Sequence, residues 1–113
     1  MKTDYITSGS TLPPSLAFPR FLLDVSIRFT AKEVYAVMLD MVLHSENVQT
    51  DKHGRRYLAF FNKTIAEVID RTPSTGAQSL RELEDVGLVE KKLLALHVSY
   101  HVYIKLPTVE DKP

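Results

Sequence analysis

The chain has no cysteine, which excludes disulfide staples and the cysteine-rich zinc sites and leaves packing alone to hold the fold. It has no surplus of charge of either sign, since 14 Lys and Arg stand against 14 Asp and Glu for a formal net charge of zero. A dedicated nucleic-acid binder usually carries a visible basic excess, so this balance counts against that class. No apolar run approaches the roughly 20 residues that span a bilayer, so no membrane role is expected. The opening Met1-Lys2-Thr3-Asp4 leads into no secretory apolar segment, and a cytoplasmic protein is expected. Gly-rich phosphate loops and nucleophile-elbow serines are also missing, so there are no residues to assign to catalysis and no enzyme is expected. What is present is 113 residues with 44% hydrophobic content, enough for one ordinary core and too little for two.

Residues 1–29 form an arm, with Pro13, Pro14 and Pro19 set among Leu12, Leu16, Phe18, Phe21 and Leu22. It is too broken for a long helix and too apolar for a solvated tail, and is expected to pack. Thr30-Ala31-Lys32-Glu33 reads as a capping box opening a first helix. Val34, Tyr35, Met38, Met41 and Val42 put one apolar stripe on that helix, which ends near His44 or Ser45. Residues 46–56 are polar and contain the turn-forming Asp51-Lys52-His53-Gly54, which predicts a loop. Tyr57 to Phe61 suits one strand. Asn62 then caps a short helix reaching Asp70 through Ile65, Val68 and Ile69. After Arg71, Thr72-Pro73 restarts a third helix with Ala77, Leu80 and Leu83 inward, closed by Gly87 as a left-handed C-cap. Leu88–Leu93 and Val98–Lys105 read as two strands of a hairpin, the second alternating through Val98, Tyr100, Val102 and Ile104.

Two short helices joined by a tight turn and followed by a hairpin predict an α+β winged helix: a three-helix helix-turn-helix core with a small antiparallel sheet forming the wing. The divisions are the arm at 1–29, the winged helix at 30–107 and a frayed tail at 108–113.

From about Leu12 to Pro107 the sequence resembles the N-terminal domain of the replication initiator A proteins of Gram-positive plasmids and mobile elements. The likeness is carried by the proline-containing arm, by Thr30-Ala31-Lys32-Glu33-Val34-Tyr35 with Leu39-Asp40, and by Asp51-Lys52-His53-Gly54-Arg55-Arg56-Tyr57. It continues through Leu80-Arg81-Glu82-Leu83-Glu84-Asp85-Val86-Gly87-Leu88-Val89-Glu90-Lys91-Lys92 and ends in Val102-Tyr103-Ile104-Lys105. The resemblance implies a domain that docks on double-stranded DNA at repeated sites in a plasmid origin, often as a dimer, while a separate C-terminal domain completes initiation. Pro73 and Gly76 depart from the family pattern, which more often has Lys and an aliphatic residue there.

With Ala77, Leu80 and Leu83 inward, Ser74, Thr75, Gln78, Arg81, Glu82 and Asp85 turn outward. Gln78 suits adenine, Arg81 suits guanine or phosphate, and Ser74 and Thr75 sit at a helix N-terminus that favours phosphate. Glu82 and Asp85 on the same side oppose a polyanion, and for each exposed residue plain solvation is the alternative. Lys63, Arg71, Lys91 and Lys92 stand where winged helices touch phosphates. The strand pleat lets at most one of Lys91 and Lys92 reach a given face.

The apolar Leu93-Leu94-Ala95-Leu96-His97 at the wing tip suits either a core or a homodimer seam shared with the arm. His97 and His101 are about 13 Å apart along a strand, too far to chelate one ion. Neither metal nor cofactor is expected. Besides an origin binder, the sequence leaves open a transcriptional regulator and a winged-helix protein-interaction module.

Overall fold

A computed structural model describes residues 1–44, 48–61, 73–93 and 99–108. Among the described residues two α-helices, α1 (Phe29–His44) and α2 (Pro73–Asp85), pack on a four-stranded antiparallel sheet. Its strands are β1 (Gln49–Thr50), β2 (Arg56–Phe61), β3 (Val89–Leu93) and β4 (Ser99–Ile104), in the order β1-β2-β4-β3. The architecture is α+β, as the sequence implies. The helix expected from Asn62 to Asp70, the wing tip at 94–98 and the end of the tail at 109–113 lie outside the described residues.

The arm packs only in part. Residues 1–18 are exposed, whereas a short 3₁₀ turn at Arg20–Asp24 drives Leu22 wholly into the core. Pro19 fixes the extended backbone before that turn. Phe21 then meets the edge of the Tyr35 ring, with centroids 5.7 Å apart.

α1 begins at Phe29, ahead of the predicted start at Thr30. The Arg28 carbonyl accepts from the amides of Ala31 at 3.0 Å and Lys32 at 3.2 Å, so Arg28 holds the cap position and Thr30 lies in the first turn. Of the predicted apolar stripe, Val34, Tyr35, Met38 and Val42 are buried and Met41 is partly buried; Ala31 and Leu39 join them in a core with Leu58, Leu80, Leu83, Leu88, Val89 and Val102. Burying each larger aliphatic side chain of this set contributes about 1.5–3 kcal/mol. The Tyr35 hydroxyl donates to the Lys105 carbonyl at 2.6 Å, tying the helix to the end of β4. Burial pushes that phenol up to about 12.

The loop expected over residues 46–56 contains β1, which pairs Gln49 with Tyr57 and Thr50 with Arg56. A two-residue polar strand has no hydrophobic alternation to announce it. The turn beyond it is closed by the Gly54 amide on the Asp51 carbonyl at 3.1 Å, with Gly54 at φ 81°. This is the three-residue hairpin loop that ends in a left-handed residue. Pairing of Leu58 with Val102 and of Val89 with Ile104 sets the register. Leu58, Val89, Val102 and Ile104 therefore face the helices, and Tyr57, Glu90, Lys92, His101 and Tyr103 take the other face.

Candidate nucleic-acid interface

α2 starts at Pro73, where a missing N–H costs nothing, and stops at Gly87 for the reason read from the sequence. Gly87 has φ 85°, its amide donates to the Glu84 carbonyl at 3.1 Å, and Leu88 donates to Leu83 at 2.9 Å. Those two bonds are a Schellman closure, with Leu88 and Leu83 both in the core beneath it.

The buried face is rotated slightly from the expected one. Gly76, Ser79, Leu80 and Leu83 are buried, whereas Ala77, expected inward, is exposed. Gly76 and Ser79 are both small, so the buried face of the helix is narrow in side-chain bulk toward its N-terminal half. At about 100° per residue this turns Gln78, Arg81 and Asp85 onto one outer ridge, and all three are exposed. Arg81 has no carboxylate partner among the described residues. Asp85 lies about 10 Å along the axis from Gln78, away from the N-terminal half that enters a groove in helix-turn-helix proteins. Thr75 is half-buried on the flank rather than on the ridge, and Ser74 lies in the first turn.

Glu82 does not face outward as expected. It is turned toward the start of α1, where Oε1 accepts the Arg28 backbone N–H at 3.1 Å and Oε2 accepts from Arg28 Nε at 2.5 Å. Its side chain retains 22% of its exposure. An amide without a helical partner and the positive end of the α1 dipole both favour a carboxylate at this point. A residue 54 positions away thus does what the third helical residue does in a local capping box.

Of the expected phosphate contacts, Lys63 and Arg71 lie outside the described residues. Lys91 and Lys92 take opposite faces of the sheet, Lys91 half-buried on the helix side and Lys92 exposed. Lys92 Nζ stands 6.0 Å from the Tyr103 ring centroid. Tyr57 lies between the other two rings of this face, its centroid 4.2 Å from His101 and 5.4 Å from Tyr103.

Two groups escaped the sequence reading. Arg28 was passed over because its partner is remote in the chain. The Asp51 carboxylate was read only as a turn former. Its Oδ1 accepts from the His53 amide at 2.8 Å and the Arg55 amide at 3.0 Å, and its Oδ2 accepts from the Tyr103 hydroxyl at 3.1 Å. Desolvation opposes the Asp51 charge, but these three donors and the nearby His53 outweigh it and hold the carboxyl below its usual range. Tyr103 is pushed up by desolvation and by its bond to Asp51. The Asp-x-x-Gly spacing was the available signal for this knot. Among the described residues no three His, Asp or Glu side chains gather as a metal site, and no helix is long and apolar enough to cross a membrane.

The same fold recurs in solved structures of initiator and DNA-binding proteins. A structure of a Rep–DNA complex superposes with a TM-score of 0.75 at 20% identity, covering 87% of this chain and 79% of that one. An N-terminal domain of a DNA-binding protein gives 0.74 at 19%, covering 97% and 88%. An MDR initiator gives 0.73 at 18%, covering 87% and 81%. No curated protein matches the sequence. The family described as replication initiator protein A (RepA) N-terminus matches residues 16–112, and the chain belongs to that family.

Proposed function

We propose that this domain is a winged helix that binds double-stranded DNA at the repeats of a plasmid or mobile-element origin, placing α2 in the major groove. It acts by binding, without catalysis, in the cytoplasm. The observation that carries the reading is the outer ridge of α2, where Gln78 and Arg81 stand exposed one turn apart while Glu82 is withdrawn toward Arg28. Gln offers the paired donor and acceptor that adenine presents in reverse, and Arg offers two donors to the two acceptors of guanine. Membership of the initiator family and the likeness to a Rep–DNA complex support it. In this reading residues 62–72 supply the helix and turn ahead of α2, Lys63, Arg71 and Lys92 meet phosphates, and Ser74 and Thr75 present the helix N-terminus.

A second copy of the chain is the proposed occupant of the arm. Leu12 and Leu16 are exposed, and Phe18 stacks on Phe29 with both rings still open to solvent. Sedimentation of the domain with and without this arm checks the point, and a monomer in both forms refutes it.

Fluorescence anisotropy against duplexes tiled from the protein's own gene and flanks tests the main proposal. Saturable binding to one repeated segment, weakening steeply with salt, is expected. Flat traces at low salt would replace the proposal with a protein-interaction module.

A further inference from the structure

A cleft of about 490 Å³ opens at the end of the sheet where Val89 pairs with Ile104, the opposite end of the ladder from Leu93 and Tyr100. It is lined by Val42, Arg55, Arg56, Glu90, Tyr103, Ile104 and Lys105. Three cations and one carboxylate give the lining two positive charges in a chain whose total is zero. Among the described residues none of the three cations has a carboxylate within ion-pair distance.

The backbone that carries the cations is pinned, and one guanidinium is itself held. The Arg55 backbone exchanges bonds with Asp51, its amide going to Oδ1 at 3.0 Å and its carbonyl accepting the Asp51 amide at 2.9 Å. Arg56 donates Nη1 to the Val42 carbonyl at 2.7 Å, which leaves the other guanidinium N–H groups directed elsewhere. Lys105 is fixed by its amide on the Leu88 carbonyl at 2.8 Å and by Tyr35 on its own carbonyl. Holding the Arg56 guanidinium beforehand lowers the entropic cost of taking up a ligand. No element of the DNA-reading proposal uses these residues.

We propose that this cleft is a second binding site, one that takes a free nucleoside phosphate. Arg55, Arg56 and Lys105 match phosphate oxygens, for which guanidinium forks are suited. Half-buried Ile104 gives the cleft an apolar part for a base, and Glu90 is an acceptor for ribose hydroxyls. The size falls within the roughly 300–1,000 Å³ typical of small-molecule sites.

The test is amide NMR of the domain titrated separately with inorganic phosphate, adenosine, 5′-AMP and a non-cognate duplex. Saturable shifts are expected at Arg55, Arg56, Glu90, Ile104 and Lys105, with 5′-AMP binding more tightly than phosphate or adenosine. Arg55→Ala combined with Lys105→Ala should weaken 5′-AMP by at least about tenfold. The rest of the spectrum and the affinity for origin DNA should stay unchanged, which separates this site from the reading helix.

Shifts spread without saturation over surface lysines would overturn the proposal. So would equal affinity for phosphate and 5′-AMP, or indifference to the double variant. If the duplex alone moves these amides, the cleft is a contact for a DNA backbone phosphate and the free-ligand reading is wrong.

Discussion

Replacing Glu82 by alanine removes two acceptors from one point in the fold. The first is the partner of the Arg28 backbone N–H, and loss of such a cap costs about 1 kcal/mol. The second is the ion pair with a guanidinium that is 51% exposed, for which about 0.5–1 kcal/mol is appropriate because water screens it. Glu82→Ala should therefore destabilise the domain by about 2 kcal/mol, which lowers Tm by about 8 °C at roughly 4 °C per kcal/mol.

Glu82→Gln keeps an oxygen for the amide and loses only the charge, so about 0.5–1 kcal/mol is expected. Arg28→Ala leaves the backbone N–H in place and should cost the same. Urea titrations of the three variants and of the Arg28→Ala, Glu82→Ala pair close a double-mutant cycle, in which the double variant should match Glu82→Ala alone. Strict additivity, or a Gln variant as damaged as the Ala one, would refute the two-part account of this contact.

On the cognate duplex Gln78→Ala should lose about 1–3 kcal/mol and on scrambled DNA almost nothing; equal losses measured by anisotropy remove its base-reading role. Lys92→Ala should weaken both duplexes alike and flatten the salt slope by about one unit, and an unchanged slope takes Lys92 out of the interface. Ser79 Oγ is buried without a hydrogen-bond partner, so Ser79→Ala should raise stability by about 1 kcal/mol through relief of that desolvation and a better helix propensity. A loss of stability in urea would mean that the hydroxyl has a bond this structure lacks. The Tyr35 phenol lies at about 12 in the folded chain against 10.0 when free, so folding favours its protonated form. Its contribution is complete below pH 10 and is lost as the pH rises through about 12. Tyr35→Phe should lessen the stability loss over that window, which alkaline unfolding curves of the two proteins would show.

Elements governed by local rules were legible in the sequence. The stripe of α1 follows from periodicity, Pro73 fixes where α2 can begin, and only a residue tolerant of positive φ fits the closure at Gly87. The alternation of Val102 and Ile104 gave the correct inner face of β4. What was missed depends on partners distant in the chain. Thr30 and Glu33 satisfy a capping pattern, yet helix start and cap are set by Arg28 and by Glu82 on another helix. The apolar character of Ala77 predicts an inward position, whereas Gly76 and Ser79 are the residues buried there. The β1 strand exists because β2 offers it an edge, and nothing in Gln49-Thr50 alone encodes that pairing. For the candidate site, the outward placement of Gln78 and Arg81 follows from helical geometry. Glu82 was misassigned because rotation about the axis gives direction without saying which neighbour stands there.

The balanced charge that argued against a polyanionic partner is a sum over the chain, and binding depends on where the charges stand. Glu82 is spent on Arg28, Asp51 on two amides and a phenol, and Asp40 on His44 at 3.1 Å. These three acids are satisfied within the fold. Arg55, Arg56, Arg81, Lys92 and Lys105 have no carboxylate partner among the described residues. Arg28 is ion-paired with Glu82, and His44, when protonated, with Asp40. Where cations outnumber acids locally, as in the cleft lined by Arg55, Arg56 and Lys105 against Glu90, phosphate is attracted more strongly than a net charge of zero suggests. Coulomb attraction at contact range outweighs that of charges beyond the roughly 8 Å Debye length of physiological salt. Neutral total charge and phosphate recognition are therefore compatible in this domain.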